Sequence, residues 1–158
     1  MVEREPAPID ADVDLHVPEE RAELRPSPVP VLAAISAGGV CGALARYAVA
    51  HAWPPDPGGF PWATFVINVT GCLLIGVLMV VVTEVLPHRR LLRPFLGVGF
   101  LGGYTTFSTY AVEIHQTASA GAPWTALAYL AGTLAGALPA VWAGSALARA
   151  LVRRGAGR

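Results

Sequence analysis

The chain has 158 residues, no net formal charge, 54% hydrophobic residues and only 14% charged ones, against roughly 25% charged in soluble globular proteins. Residues 1–30 hold eight of the eleven acids and three arginines, a balance of −5, and residues 31–158 hold eight arginines and three acids, a balance of +5. The second region has too few polar groups to solvate a soluble domain, its two cysteines lie in apolar runs and exclude a disulfide scaffold, and no Cys/His cluster or basic aromatic-interleaved surface points to zinc or nucleic acid.

Residues 1–30 read as a disordered acidic tail, a solvated cytoplasmic extension. They are rich in acids and proline and have no sustained apolar period, so ordering them would bury too little apolar surface. The basic start and apolar core of a signal peptide are missing.

Four apolar segments follow: Val31 to Ala52, Trp62 to Leu86, Leu92 to Gln116 and Trp124 to Leu151. Each is at least as long as the ~20 helical residues that cross a bilayer core. They are continuously apolar rather than alternating, which favours helices over barrel strands. The expected architecture is therefore an all-α membrane protein of four transmembrane helices over 31–152, with a basic C-terminal tail at 153–158. Trp53, Trp62 and Trp124 fall at segment ends, where indoles favour the membrane interface. Arg21, Arg25, Arg89, Arg90, Arg93, Arg149, Arg153, Arg154 and Arg158 all border one side of a four-span chain, and the two loops on the other side carry no arginine. The positive-inside rule then puts both termini in the cytoplasm of a multi-pass cell-membrane protein.

Within the first segment, Arg46 either faces an aqueous cavity or snorkels to the nearby interface. Gly38 and Gly42, Gly99 and Gly103, and the ridge Gly132, Gly136, Ala140 and Gly144 carry small residues at helical spacing, suited to close helix contact within or between subunits. In the second segment Asn68 makes either an interhelical hydrogen bond or a polar contact along a narrow face with Gly71, Cys72 and Gly76.

The third segment contains GFLGGYTTFSTYAVE, residues 99–113. Paired glycines followed by threonines make a poor helix core, and a local unwinding is expected around Gly102–Thr106. Unwound backbone at membrane depth is tolerated where its carbonyls are buried or line a cavity, and such carbonyls can hold Na⁺. Phe107, Tyr110 and Glu113 then fall on one helical stripe. The edges of aromatic rings carry partial positive charge and could meet an anion, although core or lipid packing is the plainer reading. Glu113 needs a polar pathway or a buried partner. On the fourth segment, Tyr129 and Thr133 form part of a polar track or simply bridge helices.

The motifs GGVCGALARY, FVINVTGCLLIG and GFLGGYTTFSTYAVE, in this order on the first three of four short helices, resemble the Fluc (CrcB) fluoride channels over about residues 36–150. The resemblance implies a dual-topology dimer of antiparallel four-helix subunits with two fluoride pores. By it, the backbone carbonyls of Gly102 and Thr105 match the ligands of a central structural Na⁺ that is not itself transported. Phe107 and Tyr110 match the two aromatic positions of the pore, the second usually phenylalanine. Asn68 matches the pore asparagine, Arg46 the vestibule arginine, and Ser108 and Thr109 the adjacent hydroxyl pair. Tyr129 and Thr133 look like the first two members of the fourth-helix track, and Ala137 lacks the hydroxyl expected one turn later. The implied partners are fluoride, the lipid membrane and a second subunit. The arginine bias favours one fixed orientation, hence a heterodimer with an oppositely oriented paralogue as much as a homodimer.

Other functions fit less well. A four-helix drug/proton exporter needs a carboxylate in its first helix, where this chain has Arg46 and no acid. A non-conducting partner subunit would account for the glycine ridges but not for the aligned Phe, Tyr and Glu. No Ser/His/Asp set, HExxH or phosphate loop points to an enzyme.

Overall fold

A computed structural model describes residues 28–156, all helix, turn and loop with no strand among them. The acidic tail lies outside the described residues except for its last three, as do Arg21, Arg25 and Arg158. The tail is expected to run to residue 30, yet α1 starts at Val29 and spans Val29–Ala52. Pro30 sits in its first turn, where a missing N–H leaves no helical bond unmade.

Helix α2 spans Trp62–Val80 and ends in a wider π-turn, Val81–Val85. The next segment is two helices rather than one. Arg93–Leu101 is wound as a π-helix and Gly102–Tyr104 adds an α-turn, together α3. After Thr105, which is extended at φ −78° and ψ 160°, α4 spans Ser108–Ser119. Helix α5 spans Pro123–Ala156, longer at both ends than the apolar run. At ~1.5 Å per residue it is about 51 Å long, so its end projects well beyond a ~30 Å hydrocarbon core. Among the described residues, three helical stretches are long and apolar enough to cross a membrane: Val29–Ala52, Trp62–Val85 and Pro123–Arg154.

The turn from α4 into α5 is set by one glycine. Gly121 has φ +85°, a conformation glycine adopts without steric cost. Its N–H donates to the Ala118 carbonyl and the Ala122 N–H donates to the Thr117 carbonyl, the paired bonds of a Schellman cap. Pro123 follows and cannot prolong α4, so it opens α5 instead.

The helices associate as two glycine-zipped pairs. In α1 and α3, which run parallel, a Cβ on Gly38 would fall on the Phe95 carbonyl and one on Gly42 on the Phe100 carbonyl. From the other side, Gly99 abuts the Ile35 carbonyl and Gly103 the Gly39 carbonyl. In α2 and α5, which also run parallel, Gly76 abuts the Val141 carbonyl and Gly144 the Leu73 carbonyl. In lipid there is no hydrophobic force between helices, so such backbone-to-backbone approach supplies the packing energy. At Gly132, by contrast, an added methyl would meet nothing within 4 Å.

Candidate functional site

The non-helical link Thr105–Phe107 takes backbone groups out of the helical ladder between α3 and α4, and α2 supplies their partner. Asn68 Nδ2 donates to the Thr106 carbonyl and Asn68 Oδ1 accepts the Thr106 N–H, both at 3.0 Å. A flipped amide would set donor against donor, so the pairing also fixes the side-chain orientation. One N–H of the Asn68 amide is left over. Of the two readings open for Asn68, the interhelical bond is present, and its second proton remains for another acceptor.

This clamp changes the backbone around it. In a continuous helix the Thr106 N–H would bond the Gly102 carbonyl and the Thr109 N–H the Thr105 carbonyl. Here the first goes to Asn68 and the second to Thr106 Oγ1 at 3.2 Å, a side-chain cap on α4. Gly102 and Thr105 thus have carbonyl oxygens without their usual helical donors, and a Cβ on Gly102 would meet nothing within 4 Å. Two hard neutral oxygens beside open space fit an alkali cation. The unwinding expected at Gly102–Thr106 lies later, at Thr105–Phe107. Gly102 and Gly103 stay helical because Gly103 serves the contact with α1, and the break is fixed by Asn68 and Thr106.

The side chains after the break do not share one environment. Phe107 precedes the first turn of α4 and is 79% exposed, whereas Tyr110 is 7% exposed. Their ring centroids are 5.9 Å apart. The Tyr110 hydroxyl donates to the Leu130 carbonyl at 2.8 Å, and its ring meets Tyr129 edge-on at 5.1 Å. The stripe packed against α5 is therefore Tyr110, Glu113 and Thr117, and Phe107 stands outside it. Ser108 and Thr109 are exposed, with hydroxyls 3.3 Å and 3.0 Å from Thr106 Oγ1.

Glu113 has the buried partners that sequence demands of it. It accepts the Thr64 hydroxyl at 2.9 Å and the fully buried Tyr129 hydroxyl at 2.8 Å. Thr133 donates to the Tyr129 carbonyl at 2.8 Å. The protons of Tyr129 and Thr133 are both committed within the protein in this arrangement. Arg46 is half-buried, one turn beyond Gly42, with no ion pair among the described residues.

Asn68, Gly102, Thr105, Phe107, Tyr110 and Thr133 line one open cavity of about 580 Å³, shared with Cys72 and Thr106. Ser108, Tyr129 and Arg46 lie outside that lining. Thr109 and Glu113 line a second cavity of about 500 Å³ under the Pro55–Pro61 loop. Thr106 is marked in the sequence only as the edge of the expected unwinding, and Thr64 is not singled out at all. Thr64 carries no signal beyond standing four residues before Asn68, one helical turn away.

The chain matches, over residues 33–145, the family model described as CrcB-like protein, Camphor Resistance (CrcB). A fluoride-specific ion channel FluC 2 of Nocardia farcinica is 56% identical over 128 residues, covering 81% of this chain and 91% of that protein. A FluC 2 of Streptomyces avermitilis is 54% identical over 122 residues, 77% of each chain. A FluC 1 of Streptomyces coelicolor is 53% identical over 124 residues, 78% of this chain and 80% of that one. The match takes in all the residues that clamp, cap and line the interrupted segment, and the chain belongs to the CrcB-like family of multi-pass membrane proteins.

Proposed function

We propose that the chain is one subunit of a fluoride-selective channel that lowers cytoplasmic fluoride by passive export. The observation that carries this is the Asn68–Thr106 clamp. It leaves an amide proton, two hydroxyls and an exposed aromatic ring around one break in a chain more than half identical to fluoride-specific channels. The family is one of ion channels, and the protein is not an enzyme.

Fluoride is small and strongly hydrated, so a dry path must replace its water with donors and ring edges. Asn68, Ser108 and Thr109 supply donors, and Phe107 and Tyr110 supply edges. Tyr129 and Thr133 complete the path on α5 only when their hydroxyls exchange present acceptors for the anion, and Glu113 holds Tyr129 in place meanwhile. Arg46 enriches anions at the outer mouth. The Gly102 and Thr105 carbonyls hold a structural Na⁺, which supplies fixed positive charge beside the anion path. Hydrogen fluoride enters by diffusion, ionises at near-neutral pH, and the membrane potential drives the anion out.

In this reading α3 and α4 in series make the third of four crossings, and the open side of the 580 Å³ cavity is closed by an antiparallel second subunit. The one-sided arginines support a fixed orientation with both termini cytoplasmic. That favours a paralogue of opposite orientation as the partner. Streptomyces avermitilis alone supplies two of the relatives, FluC 2 and FluC 3.

The test is efflux from proteoliposomes read with a fluoride electrode, with chloride as control, for the chain alone and with an oppositely biased relative. Selective fluoride efflux is expected, and it should fall when a large organic cation replaces Na⁺ throughout purification. Equal chloride flux refutes the reading. Full activity of the chain alone refutes the need for a paralogue.

A further inference from the structure

We infer that the acidic segment 1–27 docks on an arginine face at the cytoplasmic end of the bundle. The helix directions bring that face together. Helices α1 and α3 run parallel, so Pro28, where the segment leaves α1, lies at the same end as Arg93. Helices α2 and α5 run parallel to each other, so the last turn of α2 meets the C-terminal part of α5 there, as the 3.3 Å ion pair of Arg149 and Glu84 records.

Arg89, Arg90, Arg93, Arg149, Arg153 and Arg154 are all exposed at this end. Glu84 is the single acid with them among the described residues, and the end therefore carries +5. Residues 1–27 carry eight acids and three arginines, or −5. The two match in magnitude and are opposite in sign. Asp56 and Glu113, the other acids, belong to the far loop and to α4.

Reach permits the contact. Glu23 is five residues from Pro28 and Glu19 nine, which at ~3.3–3.6 Å per extended residue allows about 17 to 32 Å. Helices with their side chains are about 10–12 Å across, so the acids span the width of a four-helix end. The overhanging end of α5 lifts Arg153 and Arg154 clear of the hydrocarbon, where carboxylates can reach them. Docked there, the segment offsets the positive field that draws anions to the inner mouth. That effect rests on the channel reading; the contact itself does not.

The competing cover for these arginines is anionic lipid phosphate, and the test separates the two without any flux measurement. The full chain, with the photoreactive p-benzoylphenylalanine replacing Leu24, is placed in phosphatidylcholine vesicles containing phosphatidylglycerol, with an excess of heavy-isotope-labelled unmodified chain. Cross-links are mapped by mass spectrometry. The expected products are within one chain, to residues 89–93 and 149–154. Their yield should fall several-fold between about 0.1 M and about 1 M salt, where the Debye length shrinks from about 10 Å to about 3 Å. It should fall equally when Glu19, Glu20 and Glu23 are all changed to Gln. Products confined to lipid, products only between chains, or a yield indifferent to both salt and the Gln changes overturns the inference.

Discussion

Replacing Asn68 with Ala removes both halves of the clamp on Thr106, a residue only 8% exposed. Side-chain bonds between membrane helices average about 0.6 kcal/mol, because the separated helices find other partners. That figure alone puts the loss for two bonds near 1 kcal/mol. The groups orphaned here are backbone, however, and each buried unsatisfied group costs about 1–3 kcal/mol. The Thr106 N–H has no helical acceptor to return to while Thr105 is extended, so the backbone term dominates. A destabilisation of about 2–6 kcal/mol follows for the two groups, measured by reversible unfolding in detergent or bicelles. Asn68→Asp separates the two halves. Its carboxylate still accepts the Thr106 N–H but opposes the carbonyl oxygen, so stability should fall between wild type and Asn68→Ala, while fluoride flux is lost to the added negative charge. If Asn68→Ala stays within about 0.5 kcal/mol of wild type, a level typical of neutral surface changes, the clamp does not hold the break.

Other substitutions probe the surroundings. Tyr110→Phe gives up the bond to the Leu130 carbonyl, about 1 kcal/mol, yet keeps the ring edge; fluoride efflux should persist at an altered rate, and its abolition would show that the hydroxyl is required. Glu113→Gln leaves one acceptor oxygen for the two hydroxyls of Thr64 and Tyr129 and should cost about 1–3 kcal/mol. A double-mutant cycle with Tyr129→Phe that shows no coupling would count against the bonded triad. Gly144→Ala places a methyl against the Leu73 carbonyl and should cost about 1–3 kcal/mol, while Gly132→Ala, with open space around it, should leave the folding of the isolated subunit unchanged within about 0.5 kcal/mol. Equal effects at the two positions would remove the distinction between packed and open glycines.

The amino-acid pattern announces the long helices through uninterrupted apolar length, and the glycine pairs through their four-residue spacing. It also marks Gly99–Glu113 as unlike its neighbours. What it does not carry is long-range pairing. Asn68 and Thr106 are 38 positions apart and Thr64 and Glu113 are 49 apart, so neither partnership has a local signal. The position of the break depends on the first of these. Gly102 and Gly103 look like helix breakers in isolation, but Gly103 serves as a contact surface for α1, and tertiary packing overrides their propensity. The π-winding of Arg93–Leu101 is likewise invisible to a period count, since nine residues cannot distinguish a widened turn from an ordinary one. Phe107 shows the limit of spacing: it fits the stripe of Tyr110 and Glu113 by number, but the residue before the first turn does not project with the helix that follows.

The two short helices on either side of the break also bear on how the chain is made. Ser108–Ser119 has 12 residues, about 18 Å of helix, and ends in polar side chains. It is too short and too polar to enter lipid on its own, whereas α1, α2 and α5 each have the length and hydropathy to do so. Ser108–Ser119 packs on α5 through Tyr110 and Glu113, while the glycine face of α1 receives α3 and the amide of Asn68 receives the break. Synthesis in chain order delivers both of those before residue 93 emerges. The order of the sequence is thus also an order of assembly, in which early helices receive α3 and the break and α5 then completes the setting of α4, and a defect at Asn68 would surface first as failed insertion and degradation of newly made chains.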